Sequence, residues 1–230
     1  MNRQGSDKIG YLDYTWNPII MKCDRVSVGC NNCWHLKLCN RMAANPIFPD
    51  WKRHIYSGDA AFSLDGIELC APAHVKKPSV IGVQFMGDFF HPAISNSMRQ
   101  ECVQGMIATP QHTYLILTKR LDNIPVWWSA PENIWLGVSA ENQTHLHDRW
   151  RILTQFFVKV RFISAEPMLS PMRIRGQNPK PDLVICGPET GPGARSCDPV
   201  WIQALADDCE TYNIPFWDKR KNGIRRELPQ

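Results

Sequence analysis

The chain has 230 residues, 43% of them hydrophobic and 21% charged, an ordinary balance for one soluble globular domain with a substantial core. No apolar run approaches membrane-spanning length and residues 1–8 lack the apolar segment of a secretory signal, so a cytoplasmic protein with no membrane partner is expected. The formal net charge of +4 permits a polyanionic partner without demanding one.

In chain order, a first short apolar run covers residues 11–16. A cysteine-bearing segment follows, and a helix is expected behind it over residues 31–44. Residues 45–78 are irregular in pattern and read as an insertion or cover. Apolar, β-branched runs then recur at 80–85, 114–117, 134–138, 160–163, 183–186 and 214–217. Runs of this length suit strands buried on both faces, as in a parallel sheet. Helix-compatible stretches lie at 95–108, 143–157 and 199–212, while the prolines and glycines of 167–181 predict a loop. The alternation predicts a single α/β domain over residues 1–230. Its fold is expected to be an incomplete (β/α) barrel of about six or seven parallel strands.

The polar ends of these runs carry the functional signal. They are Gly87-Asp88, Thr118-Lys119-Arg120, Ser139 to Asn142, Ser164-Ala165-Glu166 and Gly187 to Gly191. In parallel α/β folds, ligands gather at the carboxyl ends of strands. The plainer reading is that Asp, Glu and Ser cap the helices that follow.

Nine cysteines are many for this length, and their scatter argues for a reducing compartment rather than a disulfide framework. Three of them, Cys23, Cys30 and Cys33, stand in a C-x6-C-x2-C spacing. Three close thiolates make a soft-metal site with an odd ligand count. A structural zinc usually takes four protein ligands. An iron–sulfur cubane on three cysteines keeps one iron open for a small molecule. The non-enzymatic alternative is a zinc-binding nucleic-acid module completed by Cys39 or His35. Cys39, Cys102 and Cys209 fall in helical stretches and read as core packing.

Several motifs together resemble a known family. They are Thr15-Trp16-Asn17-Pro18, the three cysteines with Gly29, Pro110 to Arg120, Trp135 to Gln143, Arg161 to Pro167, and Gly187 to Gly191 with Ala194-Arg195. The chain is similar over most of its length to the phage-associated, three-cysteine, radical-SAM-like group, distantly similar to spore photoproduct lyase. Trp34-His35 stands where that group has tyrosine-alanine, and Gly187-Pro188-Glu189 where it has Gly-Gly-Glu.

The resemblance implies a barrel of the radical SAM type, with a [4Fe–4S] cluster on Cys23, Cys30 and Cys33 that chelates S-adenosylmethionine (SAM). Reductive cleavage of SAM would give a 5′-deoxyadenosyl radical that abstracts hydrogen from the substrate. Asp88, with Gly87, would receive the SAM ammonium, and Ser139 and Glu141 the ribose hydroxyls. Glu189 would face the cofactor and Arg195 the substrate. Lys119 and Arg120 would pair with a carboxylate or phosphate, and the three cations together would leave a surplus for a nucleotide. His91 would orient SAM or substrate, with a hydrogen-bonded structural histidine the plainer reading. Cys186 would return a hydrogen atom, with a buried core cysteine as the alternative. The implied substrate is a nucleic-acid base or nucleotide in phage DNA, namely a thymine carrying an amino-acid substituent that is isomerised; repair of a pyrimidine photoproduct is the variant. Stacking surfaces would come from Trp34, Trp51, Trp127, Trp128 or Trp201. Electrons would come from a donor such as flavodoxin or ferredoxin.

Overall fold

The computed structural model describes residues 1–5, 8–125 and 128–221, so Trp127 lies outside the described residues. In chain order the elements are β1 (Asn2–Arg3), β2 (Tyr14–Trp16), β3 (Ile19–Ile20), α1 (Trp34–Ala44), α2 (Asp50–Ser57), β4 (Ser63–Leu64) and α3 (Gly66–Cys70). Then come β5 (Val80–Val83), α4 (Asn96–Ile107), β6 (Thr113–Thr118), β7 (Ile134–Ser139), α5 (Gln143–Leu153), β8 (Arg161–Ala165), β9 (Leu183–Cys186), α6 (Pro199–Thr211) and β10 (Phe216–Asp218).

Eight strands form one curled sheet in the order β1-β2-β5-β6-β7-β8-β9-β10, and a separate antiparallel pair joins β3 to β4. From β2 to β10 every neighbour is parallel; only β1 runs antiparallel, against β2. Among the described residues the sheet does not close, since β1 and β10 each have one partner. The expected incomplete barrel of parallel strands is thus present as an open, mostly parallel half-barrel.

Side-chain alternation divides the sheet into two faces. Leu115, Trp135, Phe162, Ile185 and Trp217 pack with Tyr11 and Leu12 on one face. Their neighbours Ile116, Leu136, Ile163 and Val184 pack on the other against Met106 of α4, Trp150 of α5 and Leu205 of α6. Both faces are covered, which is why the strands read as continuous apolar runs. Cys39, Cys102 and Cys209 are fully buried, as their helical apolar positions predict.

Three expectations shift in detail. The run at 80–85 stops at Val83, because Gln84 adopts a positive φ of 52° and turns its amide onto the Ile19 backbone. The helix expected to reach 157 ends at Leu153, with Thr154 as its C-cap. The segment 45–78 holds α2, β4 and α3 rather than irregular chain alone. The loop at 167–181 is present as expected. Among the described residues, no helix is long and apolar enough to cross a membrane.

Candidate functional site

Because the strands are parallel, the carboxyl ends of β5 to β10 share one edge of the sheet. A cavity of about 750 Å³ opens there, and Cys23, Cys30 and Cys33 line it together with Gly87, Asp88, Lys119, Arg120, Ser139 and Glu189. Nine of the twelve expected site residues therefore meet in one place. Glu141, Arg195 and Cys186 are not among the lining residues.

The cysteine segment joins β3 to α1 as a loop with a single 3-10 turn at Val28–Cys30, and Cys33 is the N-cap of α1. All nine cysteines are free thiols, and those of the trio are half-buried. The loop is braced from two sides. On one side stands Glu141, completely buried. Its Oε1 accepts from Ser27 Oγ at 2.5 Å and from Lys119 Nζ, and its Oε2 from His145 Nδ1 at 2.7 Å and Arg149 Nη1 at 2.9 Å. A Cβ on Gly29 would fall within 2.7 Å of Glu141 Cδ, so only glycine admits this approach. Burial pushes the Glu141 pKa up, but the charges of Lys119 and Arg149 outweigh it and hold the carboxyl at about 2.

On the other side stand Glu189 and Arg195. Arg195 grips Glu189 with Nε at 2.9 Å and Nη2 at 2.5 Å, and donates Nη1 to the Val28 carbonyl at 3.0 Å. Glu189 also accepts from Asn32 Nδ2 at 3.0 Å. The Arg195 hydrogen bonds hold the Glu189 carboxyl at about 2. Both acids, Glu141 and Glu189, thus engage the cysteine loop, because strand ends β7 and β9 lie against it.

Each of the three cations has a carboxylate partner. Lys119 is paired with Glu141, Arg120 with Asp24, and Arg195 with Glu189. Each cation expected to meet a carboxylate or phosphate is thus held by an acidic side chain of the protein itself. Asp88 ties two strand ends together: Oδ1 accepts from Thr118 Oγ1 at 2.7 Å and Oδ2 from the Lys119 amide at 3.0 Å. Gly87, at φ 136°, brings this turn against Met21. Ser139 is buried at the cavity wall, and its carbonyl accepts from Arg149 at 2.6 Å.

Cys186 overturns one expectation. It is completely buried, its Sγ lies 3.6 Å from Met168 Sδ, and it packs in the cluster between sheet and helices. Alternation along β9 turns the thiol away from the cavity, so it is placed as a core cysteine rather than a hydrogen donor.

Burial pushes the Cys23 thiol up to about 12, helped by the Asp88 charge and opposed by Arg120. For Cys30, burial raises the pKa, but the Lys119 charge and backbone hydrogen bonds at Val26 and Ser27 outweigh it and the thiol is shifted down. Among the described residues, one group of potential metal donors has ligand atoms within 4.8 Å of one another, namely Cys23, Asp24 and His91. Its anion is already matched, because the Arg120 guanidinium sits on Asp24 Oδ1. His91 is buried against Phe62 and bonded to Asp24, so it acts on the cysteine segment rather than on a ligand in the cavity.

The zinc alternative places His35 and Cys39 together, with Sγ to Nε2 at 3.4 Å. Both are buried beneath the loop, and His35 accepts from the Cys23 amide, at 3.4 Å, rather than facing its thiol. Burial alone lowers the His35 pKa to about 4, so the ring is neutral.

Sequence reasoning missed the contribution of β10. Lys219 and Arg220 line the cavity, paired with Glu166 at 2.6 Å and Asp218 at 2.7 Å. The signal was the charged run directly after the last apolar stretch. It also missed Ser27 and Arg149, which carry no spacing signal. Of the tryptophans, Trp34 is 53% exposed and lines the cavity; Trp51 is exposed elsewhere, and Trp128 is buried against Phe89 and Phe90. Trp201 packs against the core beneath the sheet.

A family model described as a protein of unknown function (DUF5131) matches residues 6–227, nearly the whole chain. No curated protein and no solved structure matches it.

Proposed function

The chain belongs to the DUF5131 family, and we propose that it is a radical SAM enzyme whose [4Fe–4S] cluster is held by Cys23, Cys30 and Cys33. The observation that carries this reading is that three free thiols of one loop open on the same cavity as the carboxyl ends of the parallel strands. The donor chemistry fits the group. Thiolates suit iron, and Lys119 and Arg120 stand close enough to offset their charge. The Nε of Arg120 is buried without an acceptor among the described residues, a place for an electron-rich neighbour.

When bound, the cluster supplies the electron that cleaves a carbon–sulfur bond of SAM and so starts hydrogen abstraction from the substrate. The remaining work belongs to the protein. Glu141 and Glu189 fix the cysteine loop from either side. Asp88 retains acceptor capacity on Oδ2 for an ammonium at the cavity wall. Ser139 offers a hydroxyl there. The half-barrel wall of Tyr11, Phe85 and Leu117 excludes water from a reactive species.

For the substrate, we read a nucleic-acid base, a thymine in phage DNA bearing an amino-acid substituent that is isomerised. The motif resemblance motivates the class, and the exposed Trp34 at the cavity beside Cys33 supports it. The test is anaerobic reconstitution with iron and sulfide, then SAM and dithionite. Visible absorbance and 5′-deoxyadenosine are expected; a colourless protein that leaves SAM intact refutes the reading.

A further inference from the structure

This inference rests on Cys23 being a ligand of the metal–sulfur group. We propose that Arg120, held in place by Asp24 and through it by His91, is a positioning residue that sets the reduction potential of the group bound at Cys23.

Arg120 emerges from the end of β6, and its side chain is only 8% exposed. Its Nη2 points at Cys23 Sγ at 3.9 Å and also donates to the Asp24 carbonyl at 3.2 Å and the Asp24 carboxylate. Its Nε is buried and has no hydrogen-bond acceptor among the described residues; the Asp88 carboxylate lies 4.0 Å away. A buried donor left without a partner is costly unless something in the site accepts from it. Asp24 in turn accepts from His91. The His91 Nδ1 takes the Ala93 amide at 3.2 Å, so the ring proton sits on Nε2 and is donated to Asp24 Oδ1 at 3.0 Å. Phe62 packs on the ring with centroids 5.0 Å apart. The guanidinium is therefore aimed at one ligand sulfur by a chain of three side chains.

Hydrogen bonds and positive charge at a ligating sulfur stabilise the more negative, reduced form of an iron–sulfur group. In a poorly solvated site the effect is strengthened. Asp24, mostly exposed, takes the same Nη2 that points at Cys23 and offsets part of that charge beside the sulfur. The pair should act in opposite directions: the cation raises the potential, and the carboxylate lowers it.

The experiment reconstitutes wild type, Arg120→Gln, Arg120→Lys and Asp24→Asn, and measures iron per chain and the midpoint potential by dithionite titration. Arg120→Gln is expected to keep its iron and to show a tenfold lower ratio of reduced to oxidised group at a fixed potential, about 59 mV downward for one electron. Arg120→Lys should recover part of the loss, and Asp24→Asn should shift the potential upward. An unchanged potential in Arg120→Gln at full iron content overturns the proposal. If Arg120→Gln loses its iron, Asp24→Asn decides: a raised potential supports the proposal and an unchanged one overturns it. Loss of iron from both makes Arg120 a brace and not a tuning group. A wild type that takes up no iron refutes the cluster reading itself, and this inference falls with it.

Discussion

Glu141 lies so close to Gly29 that any side chain at position 29 would have to displace its carboxylate. That contact joins the end of β7 to the cysteine loop, and its cost can be measured. Gly29→Ala is expected to lower stability by about 1–3 kcal/mol, the usual range for forcing a methyl group into a packed site. Iron uptake should fall with it. Thermal unfolding and iron analysis check both, and a fully stable, fully loaded Gly29→Ala protein would show that the loop needs no such brace.

The Glu141 charge makes a pH prediction of definite sign. Its carboxyl is held at about 2, below its ordinary 4.5. A depressed folded-state pKa stabilises above the unfolded value, and the stabilisation is lost as pH falls through the folded one. The gap corresponds to about 3 kcal/mol as an order of magnitude. The stability difference between wild type and Glu141→Gln should therefore be largest above pH 4.5 and shrink between 4.5 and about 2. Denaturant titrations across that range decide it; a difference that does not vary with pH removes the charge from the argument.

Cys23→Ala, Cys30→Ala and Cys33→Ala should each abolish visible absorbance and SAM cleavage, because the proposed reading makes these thiolates the cluster's protein ligands. Cys39→Ala, in the buried pocket with His35, should leave both largely intact. Retention of a full four-iron cluster by Cys30→Ala would overturn the assignment.

Cys186→Ala should turn over normally, since the thiol packs between sheet and helices and not on the cavity. The substitution removes a fully buried sulfur and should cost about 1 kcal/mol of stability, toward the low end of core truncations. Accumulation of uncoupled 5′-deoxyadenosine without product in this variant would restore it as a hydrogen donor.

Arg120 is already paired, so Arg120→Ala should not change the salt dependence of binding to thymidine-containing oligonucleotides. Each lost phosphate contact on a single strand would reduce the slope of log K against log salt by about 0.7. Trp34→Ala, by contrast, should weaken the same binding by about 1–3 kcal/mol if a base stacks on the exposed ring. Binding unaffected by Trp34→Ala would detach the nucleic-acid substrate from the rest of the reading.

Strand identity was legible in the chain because a strand buried on both faces must be apolar at successive positions, and the runs at 134–138 and 183–186 have no other outlet for that surface. The meeting of Asp88, Lys119, Ser139 and Glu189 at one cavity followed from the same fact, since parallel strands put all their carboxyl ends on one edge; the cysteine loop, which leaves β3 of the separate antiparallel pair, is brought there by the tertiary fold. In the structure Asn142 and Asp198 accept from the first turns of α5 and α6. What each charged group does was decided only in three dimensions. Ser27 meets Glu141 across 114 positions, Asp24 meets Arg120 across 96, and Asn32 meets Glu189 across 157. Charge pairing depends on distance and burial, not on spacing along the chain. A cation that reads as free for a ligand can therefore be spent on a carboxylate that folding brings beside it.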